Sequence, residues 1–281
     1  MSISSSEPEP SPEPPARGRW TRFVVAVVGL AVIAVVVNMM SAPDQGEGDR
    51  LQAMALAMPR NAPPDRGAAV PEVAPVDHLR PMRLDERPQE QLADWADSLA
   101  DPLNIPRAAL EAYGYAAEVV RMENPDCGIT WTVLAGIGLS ESNHGRFAGA
   151  TLDETGRPST PIIGLPLDGS PGVKEIRDTD GGELDGDTVY DRAVGPMQFI
   201  PTTWKRWGAD ADGDGVADPQ DLDDAALTAA RYLCHAGGDL TESTGWWRAV
   251  LTYNESRSYA EGVLAQGEEY GRMSRAVLSN D

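Results

Sequence analysis

Apolar residues recur at helical spacing from about Ile105 to Met122, Thr130 to Glu141, Thr202 to Trp207, Asp221 to His235, Gly245 to Tyr253 and Ser258 to Gln266. Pro106 near a start, Thr130 as an N-cap and Gly237-Gly238 past an end punctuate these helices. Between Gly149 and Ala193 the chain turns Gly-, Asp- and Pro-rich with few apolar positions, which predicts long loops and a short hairpin. The pattern therefore predicts a mainly α-helical domain carrying a large insertion. So long an irregular stretch inside a compact domain suits a functional role, such as walling a substrate cleft.

The N-terminal third follows other rules. Met1 to Pro15 is a Pro/Glu/Ser tract that cannot bury a core and is expected to be disordered. Arg17, Arg19 and Arg22 precede an uncharged apolar run, FVVAVVGLAVIAVVV, that Asn38, Met39 and Met40 extend to residue 40. As a helix the run spans about 27 Å, close to the ~30 Å of a hydrocarbon core. Arginines before it and Asp44, Glu47 and Asp49 after it place the N-terminus in the cytoplasm and the rest outside. A cleaved signal peptide, giving a secreted form, is the competing reading; the long leader and Pro43 after Ala42 weigh against it. From 41 to 100 the chain is Pro- and charge-punctuated without a sustained period, a spacer with a short helix near Gln89–Leu99. The expected organisation is a tail over 1–22, a single transmembrane helix over 23–40, a Pro-rich extracytoplasmic linker over 41–100 and a folded domain over 101–281.

Lys and Arg number 23 against 44 Asp and Glu, a net charge of −21. A surface of that sign repels phosphate backbones, so nucleic acid is not the expected partner, while divalent cations and neutral or cationic substrates remain open. From Thr151 to Asp224 alone the chain carries 17 acidic and 6 basic residues. The two cysteines, Cys127 and Cys234, fall inside the folded domain, and outside the cytoplasm a disulfide is the leading reading. Buried free thiols are the alternative. Zinc is weaker, since no paired C-x-x-C spacing occurs and His78, His144 and His235 show no metal spacing.

The sharpest local pattern runs from Asp210 to Asp221. Asp210, Asp212, Asp214, Asp218 and Asp221 fill positions 1, 3, 5, 9 and 12 of an EF-hand-like calcium loop. Gly215 sits at the sharp turn and the Val216 carbonyl falls at position 7. Asp221 departs from the usual Glu at position 12, and its shorter arm weakens binding or favours a smaller ion. A metal-free Asp/Gly turn is the competing reading. One loop without a partner loop suits a structural Ca2+ better than a sensor, and no organic cofactor is expected. A second acidic tract, Asp178 to Asp187, misses the calcium register and reads as ordinary turns.

Glu141 closes a stripe formed with Leu134 and Ile137 at i, i+3, i+7, so its carboxyl ends a core-facing stripe. There the charged form is disfavoured and the pKa rises towards use as a general acid. A solvent-facing helix-end Glu is the plainer alternative. Downstream, Phe199, Trp204, Trp207, Tyr232, Trp246, Trp247, Tyr253 and Tyr259 form an aromatic-rich set. Singly each suits the core, and together they suit a sugar cleft.

Gly138-Leu-Ser-Glu141-Ser142-Asn-His-Gly145, Ala193-Val-Gly195-Pro-Met197-Gln198-Phe199-Ile-Pro-Thr-Thr-Trp204, the Asp210–Asp221 loop, and Ala249-Val-Leu-Thr-Tyr253-Asn254 with Tyr259 together resemble the lytic murein transglycosylases of the membrane-bound B type, in their actinobacterial branch. The resemblance covers roughly residues 103 to 265. It implies a lysozyme-like fold and cleavage of the β-1,4 bond between N-acetylmuramic acid and N-acetylglucosamine, with a 1,6-anhydro product and one Glu, here Glu141, as acid and then base. It implies substrate contacts by Ser142, Met197, Gln198, Phe199, Tyr232, Tyr253, Asn254 and Tyr259. Where the family has a serine before its Gly-x-Met-Gln-like motif, Asp191 and Arg192 stand here. The expected partners are peptidoglycan glycan strands, the cytoplasmic membrane and cell-wall synthesis proteins. A water-using muramidase and a non-catalytic, membrane-anchored peptidoglycan-binding protein are the alternatives.

Overall fold

A computed structural model describes residues 45–75 and 87–279. The apolar run at 23–40 lies outside the described residues; among them no helix is long and apolar enough to cross a membrane.

Among the described residues eight α-helices dominate: α1 (Gln45–Leu56), α2 (Ala93–Leu103), α3 (Arg107–Glu123), α4 (Trp131–Ser142), α5 (Pro201–Trp207), α6 (Leu222–Gly237), α7 (Ser243–Tyr253) and α8 (Arg257–Leu278). The strands β1 (Ile163–Pro166) and β2 (Arg192–Val194) pair antiparallel. The domain is thus mainly helical, and the hairpin expected in the insertion is this pair, closing the base of the loop. Helix α4 packs on α8, α3 on α6, and α7 against α6. α4 is apolar on every side (WTVLAGIG), the composition of a helix with no solvent face, and residues Trp131 to Gly138 are all buried.

Thr130 takes the N-cap position of α4 with extended backbone, but its hydroxyl bonds that of Thr132 at 2.9 Å instead of a backbone N–H. Asp221 caps α6, accepting from the Asp223 N–H at 2.8 Å, and Asp223 and Asp224 add negative charge to that first turn. Cys127, ahead of α4, and Cys234, in the last turn of α6, form the expected disulfide.

The stretch 41–100 is more than a spacer where it is described. α1 packs on α7, burying Leu51 and Ala55. Residues 57–75 then cross the domain without regular structure. Side chains of the domain satisfy this backbone: Trp247 Nε1 donates to the Pro59 carbonyl (2.9 Å), Thr132 Oγ1 to Asp65 (2.8 Å) and Trp131 Nε1 to Ala68 (3.1 Å). Ser274 Oγ accepts from the Ala68 N–H at 2.9 Å. An extended Pro-rich strap bonded to other elements has no period of its own to betray it. A short 3-10 turn, Pro88–Leu92, leads into α2 where a helix near Gln89–Leu99 was expected. The Arg87 guanidinium, nearly buried, clasps Asp223 in a two-pronged pair (2.5 and 2.7 Å) and also bonds Glu111. Gln89, fully buried, donates from Nε2 to the Ala211 carbonyl at 2.9 Å.

α8 runs twelve residues past the expected end at Gln266. Its last turns are held from outside: Asp65 pairs with Arg275 and gives its N–H to Glu268, beside the Ala68–Ser274 bond.

Candidate active site and cation loop

Glu141 lies in the last turn of α4 above Leu134 and Ile137, both fully buried, and is itself 6% exposed. Its Oε1 accepts from the Tyr259 hydroxyl at 2.5 Å. Burial pushes the Glu141 carboxyl up to about 8, against the Tyr259 bond, which favours the charged form. Burial and that bond are what act on it; no second carboxylate does so among the described residues. Tyr259 stands in the first turn of α8, where the N-cap Ser256 accepts from the Tyr259 N–H at 3.3 Å.

Tyr253 ends α7 and donates to the Met197 carbonyl at 2.7 Å. Burial raises its hydroxyl well above the ordinary value, and the nearby Glu141 charge adds to the rise. Its ring meets Phe199 at 5.7 Å and Tyr232 at 6.1 Å, both buried behind it. Asn254 follows with a buried side chain whose Oδ1 has no hydrogen-bond partner. A buried amide oxygen left bare is costly unless something supplies a donor.

Two of the expected contact residues, Ser142 and Met197, are buried. Ser142 is buried; its hydroxyl donates to the Pro196 carbonyl at 2.6 Å and accepts from the Gly145 N–H at 2.7 Å. The Met197 side chain is fully buried. Gln198 is half-buried at φ 51° and folds its Nε2 back onto the Gly195 carbonyl at 2.9 Å. The Ser142–Pro196 bond ties the 195–198 turn to the end of the Glu141 helix, and the Gln198–Gly195 bond closes the turn on itself.

The same turn rests on the acidic loop. Gly195 has φ 79°, and a Cβ there would lie 1.6 Å from the Pro219 carbonyl oxygen, so only glycine fits. Its N–H bonds the Ile162 carbonyl, and Ile162 exchanges two hydrogen bonds with the Gln220 carboxamide (2.9 and 3.1 Å). The loop therefore braces the turn that meets Tyr253.

Within the loop the expected ligand set divides. Carboxylate oxygens of Asp210 and Asp212 come within 4.8 Å of one another and of Asp224, a residue beyond the twelve-residue register. Asp214, Asp218 and Asp221 instead face Arg157 from the insertion, at 3.7, 2.5 and 3.2 Å. Val216 has an exposed side chain and gives its N–H to Asp214. Asp224 is buried and accepts from the Ala211 and Asp218 N–H groups (2.7 and 2.9 Å), so the first turn of α6 supplies the acid that closes the loop. Burial pushes Asp224 up to about 9 and Asp221 to about 7, with neighbouring aspartates adding to each. A hard oxygen cluster so reluctant to ionise alone fits a divalent cation such as Ca2+.

In the second acidic tract, Asp178 and Asp180 lie within the same span of the buried Asp191. Their oxygens are engaged in turns: Asp178 accepts from Asp180 and Gly181, Asp180 from Gly182 and Leu184, and Asp191 from the Thr179 N–H and hydroxyl.

The family model of the transglycosylase SLT domain matches residues 187–247. The match spans the 195–198 turn, the acidic loop and α6, and supports a lysozyme-like domain of the lytic transglycosylase type, an enzyme class acting on peptidoglycan. Glu141 lies outside the matched residues. No curated protein and no solved structure matches the chain.

Proposed function

We propose that the protein is a lytic transglycosylase of the membrane-bound B type, in its actinobacterial branch, cleaving the MurNAc-β-1,4-GlcNAc bond of peptidoglycan with a 1,6-anhydro-MurNAc product. The observation that carries this reading is the buried Glu141 carboxyl, its pKa pushed up by burial, hydrogen-bonded by Tyr259 and, among the described residues, acted on by no second carboxylate. A two-carboxylate glycosidase needs a partner to activate water or attack the sugar; a single Glu suffices when the sugar's own hydroxyl is the nucleophile.

Glu141 gives its proton to the glycosidic oxygen as the C1–O bond breaks, and the Tyr259 hydroxyl steadies the carboxylate left behind. That carboxylate then takes the C6 hydroxyl proton as the C6 oxygen bonds C1. The proton count closes and no water is consumed. Tyr253 and Asn254, at the end of α7, position the acetamide near the scissile bond. Phe199, Tyr232 and Gln198 shape the cleft wall, while Ser142 and Met197 hold the turn that carries it. Asp210, Asp212 and Asp224 would hold Ca2+, which when bound would neutralise their charge and fix the loop under Gly195. The apolar run at 23–40 anchors the chain in the cytoplasmic membrane with the domain outside, where glycan strands and cell-wall synthesis proteins are met.

Digestion of sacculi in oxygen-18 water tests the reaction class. Anhydro products without label support the proposal, and one labelled oxygen at each new reducing end makes the protein a muramidase.

A further inference from the structure

His144 is fully buried three residues beyond Glu141, where the helix has already ended. Asn143 and His144 both adopt left-handed backbone, at φ 54° and 58°, and the His144 N–H bonds the Gly138 carbonyl at 2.9 Å, closing the turn that carries Glu141. Asn and His are the non-glycine residues that adopt this conformation most readily, and here two phenols hold the ring in place. Tyr113 of α3 lies 3.2 Å from Nδ1 and Tyr270 of α8 lies 2.9 Å from Nε2, each hydrogen-bonded to the ring. Tyr113 reaches this point because residue 138 is glycine; a Cβ there would sit 1.9 Å from the phenol oxygen.

We infer that His144 is a positioning residue for the proposed reaction, an imidazole pin that locks the end of the Glu141 helix between α3 and α8 and keeps water from the carboxyl. The inference rests on Glu141 being the acid of the reaction. Burial, and then Arg146, lower His144 to about 3, so across working pH it keeps one donor and one acceptor for its two phenols. The groups facing this region are Tyr113 from α3, Tyr259 and Tyr270 from α8, and Tyr253 from α7 with Tyr232 of α6 behind it. Arg146, held by Asn104 and Asn143, is the charge that acts on the imidazole. Loosening the pin lets water reach Glu141, which favours its charged form, so the acid loses its proton at lower pH.

The test is kcat/KM against pH on glycan, with circular-dichroism melts, for the full chain, His144→Leu, His144→Gln and Glu141→Gln. His144→Leu is expected to move the basic limb down by at least one pH unit and to lower activity at pH 8 about fivefold or more. His144→Gln, which keeps a donor and an acceptor, is expected to restore the limb. A folded Leu variant with an unmoved limb overturns the inference; should that variant fail to fold, the same readout on Tyr270→Phe decides. Full activity in Glu141→Gln would instead overturn the assignment of Glu141, and the role of His144 with it.

Discussion

The Tyr259 hydroxyl donates to Glu141 Oε1 at 2.5 Å, a phenol from the first turn of α8 meeting a carboxyl from the last turn of α4. The bond favours the ionised carboxylate while burial favours the protonated acid, and burial wins. An acid that must give up a proton and then recover it is suited by that balance. Tyr259→Phe is expected to raise the Glu141 pKa further, shift the basic limb of kcat/KM upward, and lower kcat by roughly ten- to a hundredfold as the carboxylate loses its donor. A pH–rate profile of the variant beside wild type checks both.

Glu141 also sets a pH dependence of stability. Folded, its carboxyl sits at about 8 against an ordinary 4.5, so between those values the unfolded chain ionises while the folded chain stays protonated. Its contribution is fully present below pH 4.5, erodes as pH rises, and is lost by pH 8. Glu141→Gln is therefore expected to stabilise the protein by up to about 4 kcal/mol at pH 8 and by little at pH 4. Denaturant titrations at both pH values measure the difference.

Calcium removal is expected to lower Tm by about 5–10 °C relative to saturating ion. Asp224→Asn should abolish that difference, although residue 224 lies outside the twelve-residue register. Differential scanning calorimetry with and without chelator reads this; equal melts in the wild type would exclude the metal site.

Arg87 lies outside the segment first expected to fold, yet it neutralises Asp223 and Glu111 in the interior. Arg87→Met leaves the buried Asp223 without a cation and Glu111 with Arg107 alone, and is expected to cost about 3–5 kcal/mol. For the same reason a fragment of residues 101–281 should melt well below one of residues 45–281.

Legibility in the sequence follows where each residue finds its partners. α4 was readable because its signals are local: a closed apolar run, Thr130 before it and a Glu closing the stripe. The strap at 57–75 was not, since its hydrogen bonds come from Trp131, Thr132, Trp247 and Ser274. α8 looked short because its last turns depend on Asp65 and Ala68. The Asp210–Asp221 spacing named the acidic loop but not its closure, because only folding brings Asp224 to Asp210 and Asp212 and aims Arg157 at the rest. Motif matching pointed to Ser142 and Met197, whose spacing could not show that a hydroxyl would be spent on Pro196 and a thioether buried.

The most direct measurement is mass spectrometry of muropeptides released from purified sacculi by the full chain, wild type beside Glu141→Gln. The proposed chemistry requires 1,6-anhydromuropeptides from the wild type and at least about a thousandfold fewer from the variant. Intact glycan with both proteins, or equal anhydro products from both, would contradict it.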